Sequence, residues 1–273
     1  MSLRPLSALQ PHVARGLRGV IFDLDDTVLD DGELGLEAYA ALFRMREAGL
    51  ALVACTGRPS GWAEVVARTW PVDACVAENG AVVWRKYAPG TVTLVDPVPP
   101  DERRARRAAL ADLARAVVAA HPSMGLSDDS SARRTDLAFD VRDRRRVDDA
   151  VVAAARAQLI LGGARTFLST IHLHASFDAA DKATGSIAFL VEAFGEGATT
   201  ALSRWAFIGD SDNDAPAFAA FRTSFGVANV RARLAALTVP PAFIADLPRG
   251  AGFASIARAI VDRRAPCARG APE

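Results

Sequence analysis

Cysteine is scarce: Cys55, Cys75 and Cys267 are all that a chain of 273 residues carries. Their odd number and scattered positions exclude a disulfide framework and offer no zinc spacing, so they read as small buried residues and a free thiol. Net charge is absent as well, with 32 basic residues against 32 acidic ones. That balance argues against a broad electrostatic footprint for nucleic acid and leaves room only for a local basic patch. No apolar run approaches the length needed to cross a bilayer, and the first residues lack the continuous apolar region of a secretion signal. The expectation is a soluble, cytoplasmic protein with no membrane and no nucleic-acid partner. What the chain does have is apolar residues, 51% of the total, enough at this length for a large core in one main domain with an insert.

The most informative stretch is Gly19-Val20-Ile21-Phe22-Asp23-Leu24-Asp25-Asp26-Thr27. Its apolar half reads as a buried strand of a parallel sheet, and carboxylates at the carboxyl end of such a strand lie where open α/β folds place ligand sites. With a side-chain period of two, Asp23 and Asp25 share a face, and their mutual repulsion asks for a cation. A hard, oxygen-liganded ion such as magnesium is the natural candidate. Taken alone, the same pattern also fits an ordinary turn with solvated carboxylates.

Three later segments follow in order. Leu52-Val53-Ala54-Cys55-Thr56-Gly57-Arg58 is an apolar strand ending in polar residues; Asp181-Lys182 supplies a lysine; Trp205 to Ile208 runs into Gly209-Asp210-Ser211-Asp212-Asn213-Asp214. The ordered set resembles the haloacid dehalogenase superfamily of phosphohydrolases, whose pattern is Asp-x-Asp-x-Thr/Val, Ser/Thr, Lys and Gly-Asp-x-x-x-Asp. The resemblance spans about residues 19 to 260. It implies a magnesium-dependent phosphatase acting on a phosphate monoester. Asp23 matches the nucleophile that forms an aspartyl-phosphate, and Asp25 matches the general acid and base, whose backbone carbonyl also binds the metal. Thr56 would offer its hydroxyl to the phosphoryl oxygens, and Lys182 would place a charge between nucleophile and phosphoryl group. Asp210 matches a direct magnesium ligand, with Asp214 in support through water or Lys182. Where relatives often have Gly after the second Asp, this chain has Asp26. The presence of Asp25 disfavours the dehalogenases and transport ATPases, which lack that acid.

The chain alternates strands and helices as a doubly wound α/β fold requires, giving a Rossmann-like parallel-sheet core over residues 19–84 and 179–265. Glu33 to Ala48 reads as a helix with Leu36, Tyr39, Leu42 and Phe43 on one face. Ser60 to Trp70 reads as another with Ser60 as its amino-terminal cap. Glu78-Asn79-Gly80 is a turn signal for a hairpin into Ala81 to Trp84. Residues 1–18 and 266–273 lack periodicity and are expected to be flexible tails.

Residues 85–178 are too many for a loop and carry their own signals: strands Thr91 to Val95, Leu137 to Arg142 and Thr166 to Ala175, and helices Asp101 to Ala120 and Val147 to Leu159. They are expected to form a small α/β cap domain. Its position, together with Thr56-Gly57-Arg58 and Glu78-Asn79-Gly80, resembles the class IIB branch, which includes sucrose-phosphate, trehalose-phosphate and mannosyl-3-phosphoglycerate phosphatases, general sugar phosphatases and phosphomannomutases. That likeness implies a phosphorylated sugar, or sugar-like metabolite, as small-molecule substrate, with the insert setting specificity. Candidate substrate contacts are Gly57, Arg58, Asn213, Arg134, His172 and His174. The two histidines share one strand face opposite Ile171 and Leu173, so they are either solvated or turned toward the cleft. Two alternatives stay open: a phosphomutase using the same Asp23, and a noncatalytic phosphosugar-binding protein. A monomer and a homodimer are equally compatible with the sequence.

Overall fold

The computed structural model of the chain describes residues 3–169 and 171–265. A nine-stranded sheet runs in the order Arg4–Pro5, Phe243–Ile244, Thr223–Gly226, Trp205–Gly209, Gly19–Phe22, Ala51–Cys55, Ala74–Ala77, Val82–Ala88, Thr91–Val95. The first seven strands are mutually parallel, and the last two add antiparallel at the edge. The central strands are short apolar runs buried on both faces, as a parallel sheet covered by helices demands. Alternation sorts them cleanly: Val20, Phe22, Leu52 and Ala54 enter one core cluster, while Ile21, Val53, Cys55, Trp205 and Phe207 enter the other. This is the doubly wound α/β architecture expected from the sequence.

A second, four-stranded antiparallel sheet has the order Arg165–Leu168, His172–Ser176, Asp136–Asp140, Gly125–Leu126. Leu137, Phe139, Leu173 and Ala175 form a third core on one face with the helices Pro100–Ala120 and Asp149–Leu161. Asp136, Asp140, His172, His174 and Ser176 alternate onto the other face.

Several expectations need correcting. The strand Thr91–Val95 pairs with Val82–Ala88 in the large sheet, not in the insert, because the chain makes one more hairpin at Gly90 before leaving the sheet. The stretch expected as a single strand, Thr166 to Ala175, is two antiparallel strands. Residues 3–18 are no tail: Arg4–Pro5 joins the sheet edge, Pro11–Gly16 is a short helix, and Leu9, Ala14 and Leu17 are buried. Arg263 and Arg264 of the helix Arg249–Arg264 donate to the carbonyls of Leu9, Ala14 and Leu17, which ties that segment down. The tail expected at 266–273 lies outside the described residues. In the helix Leu36–Glu47 the buried stripe is Ala38, Ala41, Leu42 and Met45, while Leu36 and Phe43 face out. Ser60 opens its helix without capping it; its hydroxyl instead accepts the Trp84 indole N–H at 3.0 Å.

Candidate active site

The strand Gly19–Phe22 lies between Trp205–Gly209 and Ala51–Cys55, so its carboxyl end delivers Asp23 to the centre of the sheet edge. The Asp23 N–H still donates to Ile208 O at 2.9 Å, holding the carboxylate in register with the neighbouring strand. Lys182 is the first residue of the helix Lys182–Phe194, whose amino terminus is capped by the Asp181 carboxylate. Its fully buried ammonium sits 2.5 Å from Asp23 Oδ1 and 2.7 Å from Asp214 Oδ1. The other Asp214 oxygen accepts the backbone N–H groups of Asp210 and Ser211. Gly209 permits this close turn, because a Cβ there would collide with the Asp214 carboxylate. Asp210 accepts the Thr27 hydroxyl at 3.2 Å and the Asn229 amide at 2.8 Å.

Charge inside this cluster is unbalanced. Burial pushes the Asp23 carboxyl well up; Lys182 pulls it down, and Asp214, Asp210 and Asp25 push it further up. Burial and the Asp214 charge push Asp210 up to about 7. Burial alone would lower Lys182, yet Asp214 and Asp23 hold it raised and therefore protonated. One cation thus faces three buried carboxylates, and oxygens of Asp23, Asp210 and Asp214 lie within 4.8 Å of one another. An all-oxygen cluster with surplus negative charge fits a hard divalent ion such as magnesium. Asp214 already accepts three donors, against two for Asp210 and one for Asp23, so Asp23 and Asp210 have more oxygen lone pairs left for an ion.

The Thr56-Gly57-Arg58 turn lies at the end of the adjacent strand. Thr56 is buried and its Oγ1 accepts the Arg58 N–H at 3.0 Å. Arg58 reaches across to Asp25, with Nε 2.9 and 3.0 Å from the two carboxylate oxygens and a terminal nitrogen 2.6 Å from one of them. Its guanidinium carbon lies 4.4 Å from the centroid of the Trp62 ring. The Gly57 carbonyl accepts Arg133 of the insert at 3.3 Å.

The insert meets this edge through Glu78. Its buried carboxylate accepts the N–H of Ser60 and, from the insert, the N–H groups of Arg134, Thr135 and Asp136 and the Thr135 hydroxyl. His174 is buried, donates through Nδ1 to Asp136 at 2.9 Å and stacks on Phe167 at 4.2 Å. Burial lowers its pKa despite Asp136, so the imidazole is neutral at neutral pH. His172 is half-buried, its ring 5.8 Å from His174. The Arg134 guanidinium pairs with Asp96 at 2.9 Å. Asn213 borders a cavity of about 260 Å³ between sheet edge and insert, together with Asn79, Lys182, Phe167 and Ser176.

A family model for haloacid dehalogenase-like hydrolases matches residues 20–111. Over that third of its length the chain is similar to haloacid dehalogenase-like hydrolases. Its fold is similar to a Thermoplasma acidophilum protein (TM-score 0.70, 18% identity, 89% of this chain and 98% of that one). It is also similar to a haloacid dehalogenase-like hydrolase from Bacteroides thetaiotaomicron (TM-score 0.68, 16% identity, 89% and 99%). A third similar structure is the sucrose-phosphatase from Synechocystis in complex with sucrose and phosphate (TM-score 0.62, 14% identity, 90% and 98%). No curated protein matches the sequence at a significant level.

Sequence reasoning did not assign the parts that four residues play in the site. Thr27 and Asn229 orient Asp210, and Glu78 and Arg133 join the insert to the sheet edge. Two charged or amide residues directly after the apolar strand Ala74–Ala77 were the available signal for Glu78 and Asn79. Asn229 lies in a polar stretch that only the fold brings near Asp210.

Proposed function

We propose that the chain is a magnesium-dependent phosphatase that cleaves a phosphate monoester of a sugar or sugar-like metabolite through an aspartyl-phosphate on Asp23. The observation that carries the reading is the buried ammonium of Lys182 held between Asp23 and Asp214, with Asp25 gripped by Arg58 on the neighbouring turn. Asp23 attacks phosphorus while Asp25 protonates the departing alkoxide; Asp25 then takes a proton from the water that opens the acyl phosphate. Lys182 draws charge from nucleophile and phosphoryl oxygens together. The Thr56 hydroxyl, which accepts the Arg58 N–H, has its own proton to donate to a phosphoryl oxygen. Arg58 aims Asp25 and does not itself grip the substrate. Asp23 and Asp210, with Asp214 and Asn229 behind them, would hold magnesium, whose positive charge would let a phosphate dianion approach this acidic cluster. A sugar as leaving group is supported by the likeness to the class IIB branch and by the amide, carboxylate and hydroxyl groups of Asn79, Asn213, Asp212 and Ser176 that line the cavity between sheet edge and insert.

Phosphate release from a panel of sugar and polyol phosphates, with magnesium, tests the reading. Turnover by the natural chain is expected to fall at least about a thousandfold in Asp23→Asn and to stop with a chelator. Isomerisation of a hexose phosphate without net phosphate release would assign a mutase instead. Binding of an ester with no turnover under any condition would assign a noncatalytic binder.

A further inference from the structure

A chain of hydrogen bonds outside the acid and lysine cluster ends in a donor with nothing to give to. The Ser211 hydroxyl donates to Asn213 Oδ1 at 2.8 Å, which turns Asn213 Nδ2 outward. That nitrogen donates to Asn79 Oδ1 at 3.2 Å. The orientation of the second amide is therefore set, and Asn79 Nδ2, fully buried, finds no hydrogen-bond partner among the described residues. A buried donor without an acceptor is a net cost to the folded chain, and such groups are uncommon enough to ask for a reason.

The backbone under this side chain is also unusual. Glu78, Asn79 and Gly80 are all left-handed, with φ of 48°, 55° and 107°. Left-handed residues in succession are disfavoured for anything but glycine and asparagine, and persist where surrounding structure over-determines them. Here the surroundings do so: Glu78 is held by the insert, the Asn79 N–H donates to Thr56 O at 3.0 Å, and a Cβ on Gly80 would collide with the Asp181 carbonyl. The loop thus fixes one amide at the meeting point of the Thr56 turn, the Lys182 helix and the Asn213 turn.

Asn79 borders the cavity of about 260 Å³, whereas Asp23, Asp25 and Thr56 do not. The cavity therefore adjoins the phosphoryl position beyond Lys182 and suits the rest of a substrate. Its size falls just under the range of about 300–1,000 Å³ typical of drug-sized ligands. Its two cations are committed, Lys182 to Asp23 and Asp214 and Arg165 to the Ala179 carbonyl. The remaining polar lining is mostly carboxylate, amide and hydroxyl, including Asp212, Asn213 and Ser176. Such a lining accepts hydrogen bonds from hydroxyls and repels a second anionic group.

We propose that Asn79 is a substrate-positioning residue whose Nδ2–H donates to a hydroxyl oxygen of an uncharged, polyhydroxylated leaving group of about monosaccharide size. The proposal rests on the phosphatase reading above and adds to it the group that selects the leaving group.

The test compares Asn79→Gly and Asn79→Asp with the natural chain. Glycine keeps the left-handed backbone and removes the amide without adding charge; aspartate keeps the acceptor for Asn213, removes the donor and adds a negative charge, so a loss on hydroxyl-bearing esters counts for the proposal only where glycine shows it too. Thermal melting confirms that each variant folds. Hexose 6-phosphates and glycerol phosphate are set against phenyl phosphate, which carries no hydroxyl, with KM and kcat measured separately and direct binding of the same esters followed by calorimetry. For the best hydroxyl-bearing ester both variants are expected to raise KM, and weaken binding, about tenfold, with kcat moving less than about threefold. Phenyl phosphate is expected to change less than about twofold. Equal losses on both kinds of ester would overturn the proposal in favour of a contact to the phosphoryl group, and no loss on either would overturn it outright. A natural chain that neither hydrolyses nor binds any of these esters would overturn the phosphatase reading, and the role of Asn79 with it. Activity in the natural chain with unchanged variants would overturn the role of Asn79 alone.

Discussion

Arg58 is attached at two points, by paired nitrogens to the Asp25 carboxylate and by its flat face to Trp62. A guanidinium so fixed can hold the acid at one angle to a departing oxygen, and misplacing a catalytic group by about 1 Å can cost on the order of a hundredfold in rate. Arg58→Ala is therefore expected to lower kcat about ten- to hundredfold while leaving KM within about threefold. Steady-state kinetics on the best ester separate the two parameters. A large rise in KM with kcat unchanged would mean that Arg58 grips the substrate itself. At this scale the sequence was informative about which residue types gather, since Asp23, Thr56, Lys182, Asp210 and Asp214 all stand at the carboxyl edge of strands or the start of a helix. It was silent about whom each side chain faces. Arg58 follows Thr56 in the chain, but its partner Asp25 lies 33 residues earlier, beyond the end of a neighbouring strand, and could not be read from local spacing.

Among the elements, the insert's inner sheet face carries its charge in a closed set. Arg133 pairs with Asp136 and Asp129, and Asp136 also accepts His174. Burial would raise the Asp136 carboxyl, yet His174 and Arg133 hold it below its ordinary value of 3.8. An acid lowered in the folded state contributes its full stabilisation above the ordinary value and loses it as pH falls through the lowered one. Asp136→Asn is expected to cost about 3 kcal/mol at neutral pH, because Arg133 and His174 stay buried with a lost partner. It should also flatten the fall in melting temperature between about pH 5 and about pH 3. Melting curves of both proteins across that range decide it; an unchanged acid slope would remove Asp136 from the set that drives acid unfolding. The apolar alternation of Leu137, Phe139, Leu173 and Ala175 made the insert's strands legible. The break between Leu168 and His172 was not, because the apolar pattern runs on through the turn. The short helix Pro11–Gly16 escaped for a different reason: six residues give too little periodicity, and its stability comes from arginines near the other end of the described chain.

At the scale of the molecule, two sheets with separate cores meet along one line, and the site lies where they meet. The large sheet supplies the acids, the lysine and the metal-compatible oxygens from segments far apart in sequence. The four-stranded sheet covers them, and Glu78 joins the two through main-chain donors that no side-chain pattern reveals. Strand order and the two-sided core followed from short apolar runs; the docking of one unit on the other depended on backbone geometry that a sequence does not display.

A covalent phosphoryl group on Asp23 distinguishes this mechanism from direct attack by water, and trapping it decides between the two. Asp25→Asn removes both the acid that protonates an alkoxide and the base that activates water, so with 4-nitrophenyl phosphate, whose leaving group needs no acid, the acyl phosphate should form and persist when the variant is mixed with the ester and magnesium, then quenched in acid. Mass spectrometry of the digested protein is expected to find one phosphoryl group on the peptide carrying Asp23 and none in Asp23→Asn. Phosphate release by the natural chain with no phosphorylated peptide in the trap, and inversion of configuration at a chiral phosphorus, would contradict it.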